Sequence, residues 1–516
     1  MKKKETYHFR LILYLVFSLL VFSSCNNKNY NVETIINPNQ IAPLTALIKI
    51  TSEKPCSASI QVLGKLPITQ KFSEVKKNLE IPIVGLYPNQ NNQVLLTLFF
   101  EDGKATETLN IKTEKLPEKF PIIEVNKVDR KKMESGFHAC DLHFANHGKF
   151  YSVPMIFDDN GQIRWFMDLG FINEMVSPFK KLKNDRILAA SKNTIREYDM
   201  LGKLWKEQTV NENYQIHHDL IELENGNFLI PATKTNSTVN LGKKPYNTLN
   251  DHIILYDRKN AKVLKEWDLA KHLDVSRTDV NTINPNYWFH MNGLVFDKRD
   301  SSIITSGKSQ GVVKVSWDDE LQWILAPKQN WGKAGRDGKG IKTKDFLLTA
   351  TNAEGKVYDK EVQNGSSSAE DFDFPWGQHA PKLLDNGNLL LFDNGFPRNY
   401  QNNASYSRAV EYKINEKEKQ VKQIWQYGKK RETSFFSSII SDVDYLSETN
   451  NILITSGHIY SADLTKHTAK IVEVEYPSGK EVFEATLTFK DQNGNKKAGW
   501  GQTDILYRSE RMHLQY

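Results

Sequence analysis

Residues 154–169, PMIFDDNGQIRWFMDL, read as one hairpin: an apolar strand, an acidic turn containing Gly161, and a second strand carrying Trp165 and Phe166. The unit returns as IREYDMLGKLWKEQ at 195–208, IILYDRKNAKVLKEWDL at 253–269, VVKVSWDDELQWIL at 312–325, VEYKINEKEKQVKQIWQY at 410–427 and VEVEYPSGKEVFEATL at 472–487, six copies in all. Between them lies a second hairpin on a similar turn: LKNDRILAA at 182–190, LENGNFLIPA at 223–232, FDKRDSSIITSG at 296–307, LLDNGNLLLFDNG at 383–395 and LSETNNILITSG at 446–457. Two hairpins make a four-stranded sheet. A sheet repeated at this spacing closes best around an axis, where only short, protected edges remain. No long helical period competes. The expectation is an all-β fold in which residues 122–516 form a six-bladed β-propeller. Residues 326–376 interrupt the repeat with a polar, glycine-containing insertion of a length typical of functional loops or disorder.

Ahead of the repeat, residues 37–118 alternate apolar and polar in short runs: TALIKI, ASIQVLG, LEIPIVGLYP, NQVLLTLFF and ETLNIKT. That pattern predicts a small N-terminal β-sandwich, joined to the repeat by the proline-bearing stretch TEKLPEKFP. At the very start, Lys2, Lys3 and Lys4 precede an apolar run from Leu11 to Phe22 that ends in Ser23-Ser24-Cys25. A basic head, a short apolar core and small residues before a cleavage point make a secretory signal, and the run is too short for a membrane span. Small residues directly before a cysteine resemble a bacterial lipoprotein signal. Residues 1–25 are therefore expected to be removed up to Cys25, Cys25 to be acylated, and residues 26–36 to act as a tether. The chain is then exported and lipid-anchored to a bacterial membrane, facing the periplasm or cell surface, with a lipid anchor as its sole membrane contact. A homodimer stays open.

The formal charge of +6 is slight for 516 residues, and the basic residues are scattered, so nucleic-acid binding is not indicated. With 25% charged and 39% hydrophobic residues the chain reads as globular. Cys56 and Cys140 read as two unpaired, buried thiols, although an oxidising compartment permits a bond between them.

The innermost strand of each blade lines the axis, so a position shared by several blades forms a ring. Registered on the second-hairpin turn, the entering segments read MVSPFKKL, IHHDLIEL, FHMNGLVF, GQHAPKLL and IISDVDYL. Three consecutive repeats thus bring His217 or His218, His290 and His379 to one level, out of 13 histidines in the chain. The following strands end in TSGKSQG and TSGHIYS, which add Lys308 and His458 with Thr305 and Thr455 in equivalent positions. His147 and His252 read as ordinary loop or strand residues. No nucleophile elbow supports a serine hydrolase. Facing histidines are also what zinc takes, and that reading stays open beside one in which a neutral imidazole is the nucleophile and cationic and amide groups hold a transferring anion.

Taken together, HHDLIELENGN, FHMNGLVFD, GQHAPKLLDNGNLLLFDNG and SYSRAVEYKI resemble core motifs of the bacterial arylsulfate sulfotransferase family. NPNQIAPLTALIKI and IPIVGLYPNQNNQV resemble its small β-sandwich domain, so the likeness covers nearly the whole mature chain. The resemblance implies that His379 is sulfurylated during turnover. It makes His290 and Asn292 a further catalytic pair, and His218 (His217 is the alternative) the histidine of the earlier blade. It places a family arginine at Lys308 and a final threonine at Thr455; lysine lacks the planar fork with which arginine grips an oxyanion. The active-site cysteine pair of some members has no counterpart near His379. The partners implied are a phenolic sulfate donor and a phenol acceptor. No cofactor, no metal and no nucleotide sulfate donor are expected, and no glycine-rich phosphate loop is evident. Two rivals remain: a non-catalytic propeller holding sulfated or phenolic ligands, and an aryl-sulfate hydrolase.

Overall fold

A computed structural model describes residues 29–241, 244–277, 285–401, 406–460, 467–490 and 501–514. The leader and Cys25 lie outside the described residues. The fold is all-β and β-propeller-like. An N-terminal five-stranded sheet is built on one long strand, Ala46–Val62. Its first half pairs with Tyr30–Ile36 and its second with Asn91–Phe100, while Ile68–Ile83 runs along the opposite edge and Gly103–Lys112 extends the sheet. Alternate side chains of the long strand (Ile48, Ile50, Ala58, Ile60) point into the core, the period-two burial that the sequence showed. Tyr30–Ile36 falls in the stretch read as a tether. It is a strand instead, because Val32, Thr34 and Ile36 pair with Ile50, Ile48 and Ala46. Cys56 and Cys140 are both buried and unbonded.

Six sheets of four or five strands follow among the described residues, besides one two-stranded hairpin. The second, for instance, runs Phe179–Lys181, Ile187–Ser191, Thr194–Tyr198 and Leu204–Thr209, each antiparallel to its neighbour. The third, fourth, fifth and sixth open with Tyr214–Ile216, Met291–Asp297, His379–Leu383 and Asp442–Leu446. The repeated acidic turns have one cause. Asp158 accepts from the backbone N–H of Asn160 and Gln162, Asp199 from those of Leu201 and Lys203. Gly161 and Gly202 then take the left-handed conformation at φ +77° and +79°.

Strands from both ends of the repeat region close the set. The last described strand, Ile505–Met512, pairs with Phe137–Asn146 in the first sheet, and Ile122–Val128 pairs with Lys480–Thr488 as a fifth strand of the sixth. The 326–376 insertion is packed rather than loose. Phe372, Phe374 and Trp376 are buried with Trp323, and Thr349–Ala350 pairs in parallel with Gln420 and Val421. Arg164, fully buried, joins the N-terminal sheet to the first repeat. Its guanidinium donates to Gly85 O at 2.7 and 3.0 Å, to Leu66 O at 3.0 Å and to Asp158 at 3.1 Å, and lies 3.7 Å from the Tyr87 ring centre.

Candidate active site

The inner strands of the third, fourth and fifth sheets are irregular at the histidines. His218 and His290 have φ of 61° and 55°, and Ala380, which follows His379, has φ 51°. Left-handed backbone at residues other than glycine costs free energy and persists where the surroundings demand it. Here it breaks the ladder: pairing shifts between Met291 and Gly293, and again between His379 and Lys382. The breaks turn the side chains toward one another. The rings of His218 and His290 meet edge to face with centroids 5.4 Å apart. His217 lies behind His218, its Nδ1 3.0 Å from the His218 Nδ1, while His218 also faces the Tyr507 ring at 6.0 Å.

His379 is buried, and its Nδ1 sits 3.1 Å from Gly377 O and 2.7 Å from Asn394 Oδ1. A backbone carbonyl can only accept, so Nδ1 carries the proton and Nε2 keeps its lone pair. Burial first, and the nearby Lys308 ammonium second, push the imidazole pKa down to about 3, so the ring is neutral at physiological pH. The same ammonium depresses His218, which burial and Arg508 already lower to about 4, and His290, which burial and His218 hold well below the usual range. Lys308 therefore lies within electrostatic reach of all three histidines. Its backbone N–H donates to His290 O at 3.1 Å. Among the described residues its ammonium has no hydrogen-bond or ion-pair partner, and burial lowers its pKa to about 8. A desolvated cation facing three neutral imidazoles is a place for an anion.

Asn292 spends one N–H on Gln378 O at 2.7 Å, tying the fourth sheet to the backbone beside His379, and its Oδ1 is buried with no hydrogen-bond partner among the described residues. Thr455 and His458 belong elsewhere. The Thr455 hydroxyl is 2.5 Å from Ser509 Oγ, and among the described residues no hydrogen bond joins it to the three histidines. His458 contacts Thr503 at 3.3 Å and stacks edge-on to His467 at 4.5 Å. Thr305 donates to Gly293 O at 3.1 Å. The expected ring of cation, hydroxyls and imidazoles is thus corrected: these threonine hydroxyls sit mid-strand and are consumed by neighbouring strands. His252, bonded to Asp251 at 2.7 Å, is a strand residue as expected. Asp251, His252 and Asp268 are close enough to hold a metal ion, as are Asp297, Asp300 and Glu416. Arg336 already bonds Asp268 at 2.7 Å, however, and Lys314 sits in the second group at 3.2, 2.6 and 2.6 Å.

Sequence reasoning missed the contribution of the last strand. Arg508 donates to His218 O at 2.6 Å and lies 3.4 Å from Asp219, which holds the His218 turn in place. It also missed Asn394, although the residue stands in the quoted run FDNG, and Ser441, which occupies the slot of His218 and His379 in the sixth repeat. Only the register could have flagged Ser441. Nothing in the pattern marks ILYRSERM as an inner strand until the closure is known.

Residues 127–498 match the arylsulfotransferase (ASST) family, and residues 33–114 match the arylsulfotransferase Ig-like domain. The chain belongs to the arylsulfotransferase family. It is therefore a sulfotransferase enzyme. Two curated relatives agree with the family: the arylsulfate sulfotransferase AssT of Escherichia coli, 28% identical over 545 residues, covers 87% of this chain and 88% of its own length. That of Lelliottia amnigena is 28% identical over 539 residues, covering 86% and 88%. Among solved structures, a quinonprotein alcohol dehydrogenase-like protein of Bacteroides thetaiotaomicron aligns at 9% identity and TM-score 0.31, over 89% of this chain and 94% of its own.

Proposed function

We propose that this arylsulfotransferase moves a sulfuryl group from a phenolic sulfate ester to a phenol through a covalent intermediate on His379, with no nucleotide sulfate donor. The observation that carries the reading is the His379 ring: neutral, protonated on Nδ1, with Nε2 unprotonated beside an unpaired ammonium. In the first half-reaction Nε2 attacks sulfur, the Nε2–S bond forms, and the S–O bond to the aryl group breaks with its electron pair leaving on the phenolate oxygen. Lys308 holds the sulfuryl oxygens as charge builds on them, together with the second N–H of Asn292.

The departing oxygen needs a proton, and His290 and His218 are the groups nearest to that task. Burial and neighbouring positive charge hold both neutral. The negative charge of a bound sulfate ester favours an imidazolium, so one of them enters the first half-reaction protonated. The second half-reaction runs in reverse: that imidazole, now neutral, takes the proton of the acceptor phenol, whose oxygen attacks sulfur and frees His379.

The finer points of architecture belong to the same proposal. The six sheets are read as the six blades of a propeller and the N-terminal sheet as a small sandwich domain. Cys25 is read as the acylated first residue of an exported, membrane-tethered enzyme. The test is kinetic. A soluble form lacking the leader should release phenol from a chromogenic aryl sulfate much faster when an acceptor phenol is added. Equal rates would indicate water as the acceptor and a hydrolase.

A further inference from the structure

Asn394 follows the second strand of the fifth sheet, Leu389–Asp393, and is completely buried. Its Nδ2 donates to two backbone carbonyls, Ser437 O at 2.8 Å and Ile440 O at 2.9 Å. Carbonyls cannot donate, so the amide cannot flip: its Oδ1 must be the atom turned to His379. The carbonyls are themselves fixed. Ser407 Oγ donates to Asn394 O at 2.8 Å and receives the Ser437 N–H at 2.9 Å. The Ser441 hydroxyl lies 3.0 Å from Ser437 Oγ and accepts from Gly457 N at 3.1 Å. Ile440 and Ser441 are both left-handed, at φ 51° and 91°. A segment of the sixth sheet's approach thus locks an amide of the fifth sheet, which grips the imidazole at 2.7 Å, closer than the 3.1 Å to Gly377 O.

Resting on the proposed role of His379, we infer that Asn394 is a positioning residue that fixes the Nδ1–H tautomer of His379 and supports that N–H as the ring becomes cationic. Free imidazole side chains in water favour the proton on Nε2, which would leave no lone pair toward sulfur. During attack the Nε2 lone pair becomes the bond to sulfur and the ring takes a positive charge, while Nδ1–H stays in place. A neutral oxygen at 2.7 Å strengthens its hydrogen bond as that charge grows. It takes no proton, so the sulfuryl group remains on a cationic ring, from which a phenol can accept it.

The test uses Asn394→Ala and Asn394→Asp with three readouts: the burst of phenol released from a chromogenic aryl sulfate without acceptor, the KM for that donor, and the 15N resonances of His379. Asn394→Ala should slow the burst about 10–100-fold, on the scale of lost outer-shell partners. Donor KM should stay unchanged, and the His379 signals should move from Nδ1-protonated toward Nε2-protonated. Asn394→Asp keeps an acceptor oxygen toward Nδ1 and should recover the tautomer but only part of the burst, because its second oxygen meets the Ser437 and Ile440 carbonyls. An unchanged burst and tautomer in the alanine variant would overturn the inference. So would equal losses in both variants with the tautomer unmoved, which would make Asn394 merely structural. Failure of the His379 reading itself shows separately, as wild-type enzyme treated with donor that carries no sulfuryl group on the peptide containing His379.

Discussion

His218 and His290 oppose one another's protonation: their rings meet at 71° with centroids 5.4 Å apart, so an imidazolium on either disfavours one on the other. One of the two at a time can therefore carry the catalytic proton. His290→Gln and His218→Gln should each lower turnover, within the 10²–10⁴-fold range, roughly, of general acid–base groups. The loss should grow with the pKa of the leaving phenol, since a nitrophenolate departs without help and a plain phenolate does not. Rates for a series of aryl sulfates give the slope, and a slope equal to that of the parent enzyme would remove both histidines from proton transfer.

Lys308 sets the alkaline limb. Its ammonium has a pKa near 8, lowered by burial, and is useful to the reaction only while charged. Activity (kcat/KM) should therefore fall as pH rises through about 8. Lys308→Arg should abolish that limb while keeping activity, because a guanidinium stays charged. Lys308→Ala should cost about 2–4 kcal/mol of transition-state stabilisation, the scale of one lost oxyanion donor.

Acid stability carries the signature of the same site. His379 and His218 have pKa values of about 3 and 4 in the folded protein, against 6.5 when exposed. The unfolded chain then binds more protons between these limits, so stability rises with pH there. This part of the stability is complete above about 6.5 and is lost as pH falls through the folded values. Thermal melts from pH 7 to 4 should show the decline, and His379→Asn should make it shallower.

That variant also tests the chemistry. His379→Asn keeps polarity and approximate size but offers no nucleophilic nitrogen, so transfer should vanish while the neutral-pH melt is retained. The parent enzyme should show ping-pong kinetics. Treated with donor alone, it should yield one labelled peptide, the one containing GQHAPK, stable in alkali. A label on the peptide bearing His290 would move the nucleophile.

Arg164→Ala should loosen the N-terminal sheet. The substitution strands Gly85 O and leaves the fully buried Asp158 without its cation, a loss on the scale of a broken buried pair, about 3–5 kcal/mol. Proteolysis within 113–121 should become faster before the repeats unfold, and unchanged cleavage would mean that other contacts hold the sheet.

Much of this was legible in the residues because period two and the acidic turns are local signals. The turn register also put His218, His290, His379 and Lys308 together, since the inner strands of successive repeats enter the same region. It failed for Thr455 and His458, because equivalent positions within a strand do not ensure equivalent surroundings: Ser509 and Thr503, from the C-terminal part of the chain, claim them. Asn394 and Arg508 escaped for the same reason. Their meaning lies in long-range pairing, which no local pattern encodes. Of the tether read at 26–36, residues 30–36 form an edge strand, visible only once its partner at 46–52 is known.

The strand that completes the first sheet, Ile505–Met512, reaches it from far along the chain, and it brings Tyr507 and Arg508 against His218. While that strand is undocked, the His218 turn lacks the Arg508 guanidinium that holds it. The His218 turn is therefore completed by closure of the sheets and not by its own repeat alone. Until the strand docks, the edge of Phe137–Asn146 is an unpaired strand edge, open to pairing with another chain.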